Sequence, residues 1–308
     1  KGGEFRRWYG NHEYVVNWED DGQQVRVFGT EDGGRPRSRP QNTEKYFRPA
    51  VSWSDVTNGP PAFRLFPAGF INDAVGHSAF GGDTGWKFRL LAYCNTPVFR
   101  EAAELINPTI HFHIGYFNKL PFEEQSARAD LELTAKTCVA CSQSDWNAYE
   151  RSWDFQSLPL LTASSEPTPT LESCYTAWIN QNRDTIAEMK RLEEENNRLF
   201  IDAYGLADEL TPDVPIEQIT LTVNPAYRYG GKLTEEEQWT RFRQDTMEEL
   251  VSYAIGCMMG RYSLDAPGLI YAHSGNEGFD HGKYTRFPAD DDGIIPLTDT
   301  DWFDDDAC

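Results

Sequence analysis

The run Asn224-Pro225-Ala226-Tyr227 holds the residue types and order best suited to specific chemistry. An Asn side chain and the carbonyl of the Pro after it can accept hydrogen bonds from an exocyclic amino group, while a Tyr ring stacks on a base rotated out of a duplex. The same letters also read as a turn, because Asn-Pro favours an extended residue before a fixed φ and Gly230-Gly231 then relaxes the chain. His111 and His113 would share one face of a strand, and two imidazoles can begin a metal site. No third ligand is identifiable, and two polar rings on a half-exposed sheet face are the simpler account of the pair. Cys138-Val139-Ala140-Cys141 has half the spacing of a zinc site, with no second Cys or His pair at a suitable distance. Glu188-Met189-Lys190 has the residue types of a nuclease carboxylate-lysine site, and Asp290-Asp291-Asp292 could hold a divalent cation. Both read more simply as solvated charges. No residue is assigned a catalytic or metal-binding role.

Amino-group methylation would need a seat for S-adenosylmethionine, usually a Gly-rich turn between a strand and a helix of a doubly wound sheet. The nearest candidate, Phe80-Gly81-Gly82-Asp83-Thr84-Gly85, leads into Trp86-Lys87-Phe88-Arg89, where no helix cap or amphipathic helix is read. The helix dipole that a polar ligand needs is therefore expected to be missing. Alternating strand and helix units are absent, as are the phosphate loop, the Gly-x-Ser-x-Gly elbow and His-Glu-x-x-His. No cofactor site is expected in this chain.

The elements that would position these groups fall into an α+β pattern. Residues 1–122 carry short strand-like runs at 14–18, 25–28, 50–53 and 63–66, bounded by turn chemistry, and predict a twisted, partly antiparallel sheet. Thr96 and Pro97 predict the cap and first turn of a helix that runs to Ile106 and ends at Asn107-Pro108, before a strand over 109–114. From Glu123 the texture turns helical. One helix is read through Cys141, a connector over 157–171, then an amphipathic helix over 171–204 with apolar positions Tyr175, Trp178, Ile179, Ile186, Met189, Leu192, Leu199 and Phe200. A further helix begins at the N-cap Thr234 with Glu237 three residues on, and places Trp239, Phe242, Met247, Leu250, Val251, Ala254 and Ile255 on its inner face. The expected domains are 1–122, a helical region 123–260 with antiparallel packing, and an acidic, loop-rich segment 261–308.

Charge divides along the same line. The chain of 308 residues has a net charge of −21, yet residues 1–122 carry a net +1 and residues 123–308 a net −22. The first part holds the local basic cluster Arg35, Arg37, Arg39, Lys45 and Arg48, which suits phosphate unless it is only a solvated loop. The six cysteines are scattered, so reduced thiols and a cytoplasmic location are expected. No signal region or membrane-length apolar run is present. Lys1 without a Met, and Cys308 after an acidic run, read as the ends of a segment of a longer polypeptide.

Long motifs then carry a family likeness. The segments "RRWYGNHEYVVNWEDDG", "YFRPAVSWSDVTNGPPAFRLFPAGFINDAVGHSAF" and "LLAYCNTPVFREAAELINPTIHFHIGYFNKLPF" resemble the target-recognition region of the PglX adenine-specific DNA methyltransferases of BREX phage-defence systems. The likeness continues through "DWNAYERSWDF", "TVNPAYRYGG" and "SYAIGCMMGRYSLDAPGLIYA", and covers nearly the whole chain. It implies a parent enzyme that methylates adenine N6 in double-stranded DNA with S-adenosylmethionine and marks host DNA as self. It further implies a catalytic domain upstream of Lys1 and possible contact with other BREX proteins. Ala226 departs from the Asn-Pro-Pro-Tyr box of such enzymes, so the box in this chain is expected to be a coincidence. For DNA contact the reading names Arg6, Arg7, Arg35, Arg37, Arg39, Lys45 and Arg48, with Arg64 and Lys119 as second choices, while Trp8, Tyr9 and Trp53 could be core. The competing reading is a protein-interaction scaffold that docks the catalytic domain or other defence components through the acidic helical half.

Overall fold

The computed structural model describes residues 3–30, 33–56, 59–72, 75–83, 85–107, 109, 111–122, 129–271 and 278–286. The chain forms two compact units, one of residues 1–146 with 179–232 and one of residues 147–178 with 233–308. The architecture is α+β.

In the first unit, β1 (Ala50–Ser54) is the buried centre of a three-stranded antiparallel sheet, flanked by β2 (Arg64–Phe66) and β3 (Gly76–Ala79). The register pairs Ala50 with Phe66 and Trp53 with His77. The runs expected at 50–53 and 63–66 are therefore strands. Those at 14–18 and 25–28 are not. Tyr14, Val15 and Val16 are exposed and form no strand, and residues 25–27 belong to α1 (Glu19–Val27), which begins with a left-handed turn at Asp20, Asp21 and Gly22. β-Propensity is a preference for packing on a pleated neighbour, so without one it decides little.

A helix does follow the glycines. α2 (Trp86–Cys94) starts at Gly85, and its first free N–H groups are taken internally, since the Asp83 carboxylate accepts from Gly85 N at 2.9 Å and Trp86 N at 2.7 Å. The dipole exists, but its anion is already supplied by the chain. α3 (Pro97–Ile106) begins as expected, with Thr96 Oγ1 accepting from Phe99 N at 3.2 Å. The strand expected over 109–114 reduces to a single bridge between Val56 and His111, after which α4 (Ile114–Phe117) begins. The Trp53 indole N–H donates to Phe112 O at 2.9 Å, which gives that carbonyl to a side chain instead of a ladder. Around Trp53 the core is aromatic, with Phe117 stacked at 4.5 Å and Phe63 at 5.3 Å.

α5 (Ala129–Asn147) is the helix expected after Glu123; its proposed start at Glu123-Glu124-Gln125 lies outside the described residues. α6 (Leu171–Ala203) has the anticipated length. In the first unit its stripe of Ile179, Ile186, Met189, Leu192 and Phe200 is buried.

The second unit is built on a cluster of Phe155, Leu158, Leu160, Cys174, Tyr253 and Tyr262, with Tyr175, Trp178, Met247 and Leu250 packed against it. α8 (Glu235–Met258) opens with the capping box read from the sequence: Thr234 Oγ1 accepts from Glu237 N, and the Glu237 carboxylate accepts from Thr234 N at 2.8 Å. Thr234→Ala is expected to cost about 1 kcal/mol in urea denaturation of the chain. Val251, Ala254 and Ile255, read as inner, face outward, while Tyr253 and Gly256 are buried. The cause is close contact at Gly256, where a Cβ would lie 2.6 Å from the Tyr262 ring. That approach turns the helix seam onto Tyr253 and Gly256. No helix among the described residues is long and apolar enough to cross a membrane.

Candidate nucleic-acid interface

The basic stretch 35–48 is shaped by Pro36 and Pro40, which remove donors and fix φ, so the chain there forms no regular element before a single turn at Thr43–Lys45. Both ends are anchored. Arg37 N donates to Phe28 O at 2.8 Å, Phe47 N donates to Phe70 O at 2.8 Å, and buried Tyr46 meets the edge of Trp18 at 5.1 Å. Arg35, Arg37, Arg39 and Arg48 are exposed and Lys45 is half-buried. Among the described residues none of these five side chains has an ion-pair partner. Lys119, just beyond α4, is also exposed, with its ammonium 5.9 Å from the Tyr116 ring centre. Exposed cations on an anchored but irregular backbone can meet phosphates at little desolvation cost.

Arg6, Arg7 and Arg64 stand apart, and their place among exposed contacts is corrected by their burial. Arg6 is 2% exposed, pairs with Asp145 at 2.5 Å and donates to Tyr9 O at 2.8 Å and Thr222 Oγ1 at 3.0 Å. Arg7 pairs with Glu193 at 2.6 Å, and the Trp8 indole donates to the other oxygen of that carboxylate at 2.6 Å. Burial pushes the Glu193 carboxyl above its ordinary range, while Arg7 and Trp8 pull the other way. Arg64 donates to Arg6 O and Ser54 Oγ, and burial holds its pKa down to about 10. A buried charge must be paired, and the run "RRWYG" carries its partners far away in sequence. Asp145 and Glu193 were not singled out in the sequence; both sit in helices at positions where an apolar residue would fit the stripe. Trp8 and Trp53 are fully buried and Tyr9 nearly so, which makes all three core.

Asn224 is a structural cap. Its side chain donates to Ile216 O and Ile219 O at 2.7 and 2.8 Å and accepts from Ala226 N at 3.2 Å, opening the short helix α7 (Pro225–Tyr229). Tyr227 donates to Phe5 O at 2.6 Å. With its amide committed and its side chain buried, Asn224 presents nothing to an incoming base. Gly230 and Gly231 both adopt left-handed φ, as the turn reading requires.

Glu188 pairs with Arg191, and Lys190 with Glu194, along the surface of α6. Cys138 is buried, and burial raises its thiol and that of Cys141, which does not favour thiolate ligation. Asp290-Asp291-Asp292 lies outside the described residues. A cavity of about 250 Å³ in the first unit is lined by Arg7, Asn95, Phe99, Arg100, Asn197 and Gln218, among others.

The residues that could hold a metal are Asp55, His77 and His113, whose ligand atoms lie within 4.8 Å of one another. His111 and His113 are visible as a pair in the sequence, whereas Asp55 and His77 are not. The available signal was register: once β1 and β3 are paired with Trp53 opposite His77, Asp55 falls two residues beyond, at the same end of the sheet.

No family model matches the chain. Over its whole length it is 36% identical to the adenine-specific methyltransferase BrxX of Escherichia coli O9:H4 (strain HS), an alignment of 313 residues that covers 25% of that protein. It is also 36% identical, over 99% of the chain, to the adenine-specific methyltransferase PglX of Lacticaseibacillus casei (strain Zhang), covering 24% of it. The chain spans about a quarter of the length of these curated relatives.

Proposed function

The chain belongs to the family of the BrxX and PglX adenine-specific methyltransferases, and from that premise we propose that it is a DNA sequence-recognition segment of such an enzyme. Residues 1–122 contact double-stranded DNA, with Arg35, Arg37, Arg39, Lys45, Arg48 and Lys119 on phosphates or major-groove edges. S-adenosylmethionine and the methyl transfer to adenine N6 are assigned to another part of the longer protein, acting within BREX phage defence.

The observation that carries this reading is the set of cations along 35–48, which have no ion-pair partner among the described residues, in the one part of a strongly acidic chain whose charge is balanced. A surface with no attraction for phosphate would have no need to keep so many cations apart from the abundant carboxylates. Duplex binding by the chain, followed by fluorescence anisotropy across a salt series, tests it. Each phosphate contact contributes roughly −0.9 to the slope of log affinity against log salt. Replacing Arg35, Arg37 and Arg39 by Ala should therefore make the slope shallower by about 2.7 and weaken binding at low salt. Arg191→Ala, on the surface of α6, should change neither. A triple variant that binds as the parent chain does, or a parent chain that shifts no duplex at low salt, would count against the proposal.

The scaffold reading draws little from α6, whose Ile179, Ile186, Met189, Leu192 and Phe200 are buried and whose Tyr175 and Trp178 pack partly buried against the second unit's cluster. What remains for it is the outward line of Val251 and Ile255 on α8 and Met259 just after it, at 58%, 50% and 56% exposure.

A further inference from the structure

Asp55 follows β1, and its backbone is held on both sides: its N–H donates to Val75 O at 3.0 Å, and its carbonyl accepts from Phe112 N at 2.8 Å. Those bonds bring together the end of β1, the start of β3 and the segment that enters α4. Three side chains converge there. Asp55 Oδ1 is 3.4 Å from His77 Nε2 and 3.1 Å from His113 Nδ1. Asp55 Oδ2 faces His111 Nδ1 at 3.3 Å, and the His111 ring stacks on that of His113 with centroids 5.6 Å apart.

The Oδ2 contact with His111 is a hydrogen bond, but the approach of Asp55 Oδ1 to His77 Nε2 is not. Among the described residues, Asp55 Oδ1 and His77 Nε2 are both fully buried atoms without a hydrogen-bond partner of acceptable alignment, and the Asp55 side chain is only 10% exposed. Two orphaned buried polar atoms facing one another would each carry a desolvation cost of about 1–3 kcal/mol. A cation between them removes both costs. Zinc sits about 2.0–2.2 Å from imidazole nitrogen and carboxylate oxygen, so ligands sharing a tetrahedral ion lie about 3.4 Å apart. The two separations from Asp55 Oδ1, 3.4 Å to His77 Nε2 and 3.1 Å to His113 Nδ1, lie close to that spacing.

We infer that Asp55, His77 and His113 bind one divalent transition-metal ion, with zinc the expected occupant, and that His111 is a positioning residue that orients the Asp55 carboxylate through its second oxygen. Two imidazoles and one carboxylate are a borderline donor set, which favours zinc over magnesium or calcium. Half-exposed His113 leaves the fourth position open to solvent. The ion would staple the end of the sheet to the 111–117 segment, which supplies Phe112 and Phe117 to the core around Trp53.

The test uses the purified chain stripped with a chelator and titrated with zinc against a chromophoric competitor, with melting followed in parallel. One site is expected, with a zinc-dependent rise in melting temperature. His113→Ala and His77→Ala should each weaken zinc binding at least 100-fold and abolish the rise, and His111→Ala should weaken it about 10-fold, as for loss of an outer-shell partner. His113 is half-exposed, so its removal leaves the core intact, and circular dichroism of that variant checks the fold. Cys141→Ser should leave zinc binding unchanged, and X-ray absorption should show nitrogen and oxygen neighbours without sulfur. A chain that binds no zinc stoichiometrically, one that binds equally well without His113, or a sulfur-bearing first shell overturns the assignment.

Discussion

Arg6→Ala and Asp145→Ala should each destabilise the chain by about 3–5 kcal/mol, the cost of leaving one charge of a buried pair without its partner. Asp145 does more than neutralise Arg6. Its two oxygens accept from Thr222 N at 2.7 Å and Val223 N at 2.9 Å, while Arg6 lies over the Trp146 ring with its guanidinium 5.1 Å from the centre. One ion pair thus ties the N-terminal run to α5 and to the segment that leads into α7. The space is also closed to backbone change: a Cβ on Gly10, whose φ is +119°, would lie 2.4 Å from Arg6 Nε. Losing that charge therefore cannot be relieved by a small shift of the loop. The double variant Arg6→Met with Asp145→Leu discriminates between causes. If the single losses come from uncompensated burial, the double variant should recover a large part of the stability, leaving the unpaired Thr222 and Val223 N–H groups as its residual cost. Urea midpoints at neutral pH measure all three. Single variants within about 0.5 kcal/mol of the parent would show that water reaches the site.

The same buried run explains which parts of this molecule were legible in its sequence. Local signals held wherever local chemistry decides the outcome: Thr96 with Pro97, Thr234 with Glu237, and the three-four spacing of α6 all act within one or two turns. The strands at 50–53 and 63–66 were readable because they are apolar and buried in a sheet. The equally β-prone residues 14–18 misled because nothing in their own composition states whether a strand lies beside them. Arg6 and Arg35 show the limit most clearly for the candidate interface. Both are arginines in a stretch of balanced charge, yet one is paired with a carboxylate 139 positions away and the other faces solvent. Pairing at that separation has no periodicity to reveal it. The cluster of Asp55, His77 and His113 was invisible for a related reason, since its spacing is set by strand register and a loop rather than by a helix or a single strand.

Acidification should uncover a second buried group. His12 sits among Tyr9, Phe66 and Phe70 with ring centroids at 4.5–4.8 Å, and both its ring nitrogens are buried without partners. Burial, reinforced by the nearby Arg64 and Arg6 charges, lowers its pKa from 6.5 to about 3. The folded chain therefore keeps this ring neutral where the unfolded chain protonates it. Between those two values the unfolded state binds the extra proton, so this contribution to stability is complete above pH 6.5 and is lost as pH falls towards about 3. Moving from about pH 7.5 to about pH 5 should remove about 2 kcal/mol through His12 alone. His12→Phe keeps a ring in an aromatic site and has nothing to protonate. Carboxylates titrate in both chains, so the difference between their two pH responses isolates the imidazole. In urea denaturation the variant should retain about 2 kcal/mol more than the parent at about pH 5, each measured against its own value at about pH 7.5. Equal losses in the two chains would mean that His12 is protonated in the folded state, and that its nitrogens find partners in water admitted to the cluster.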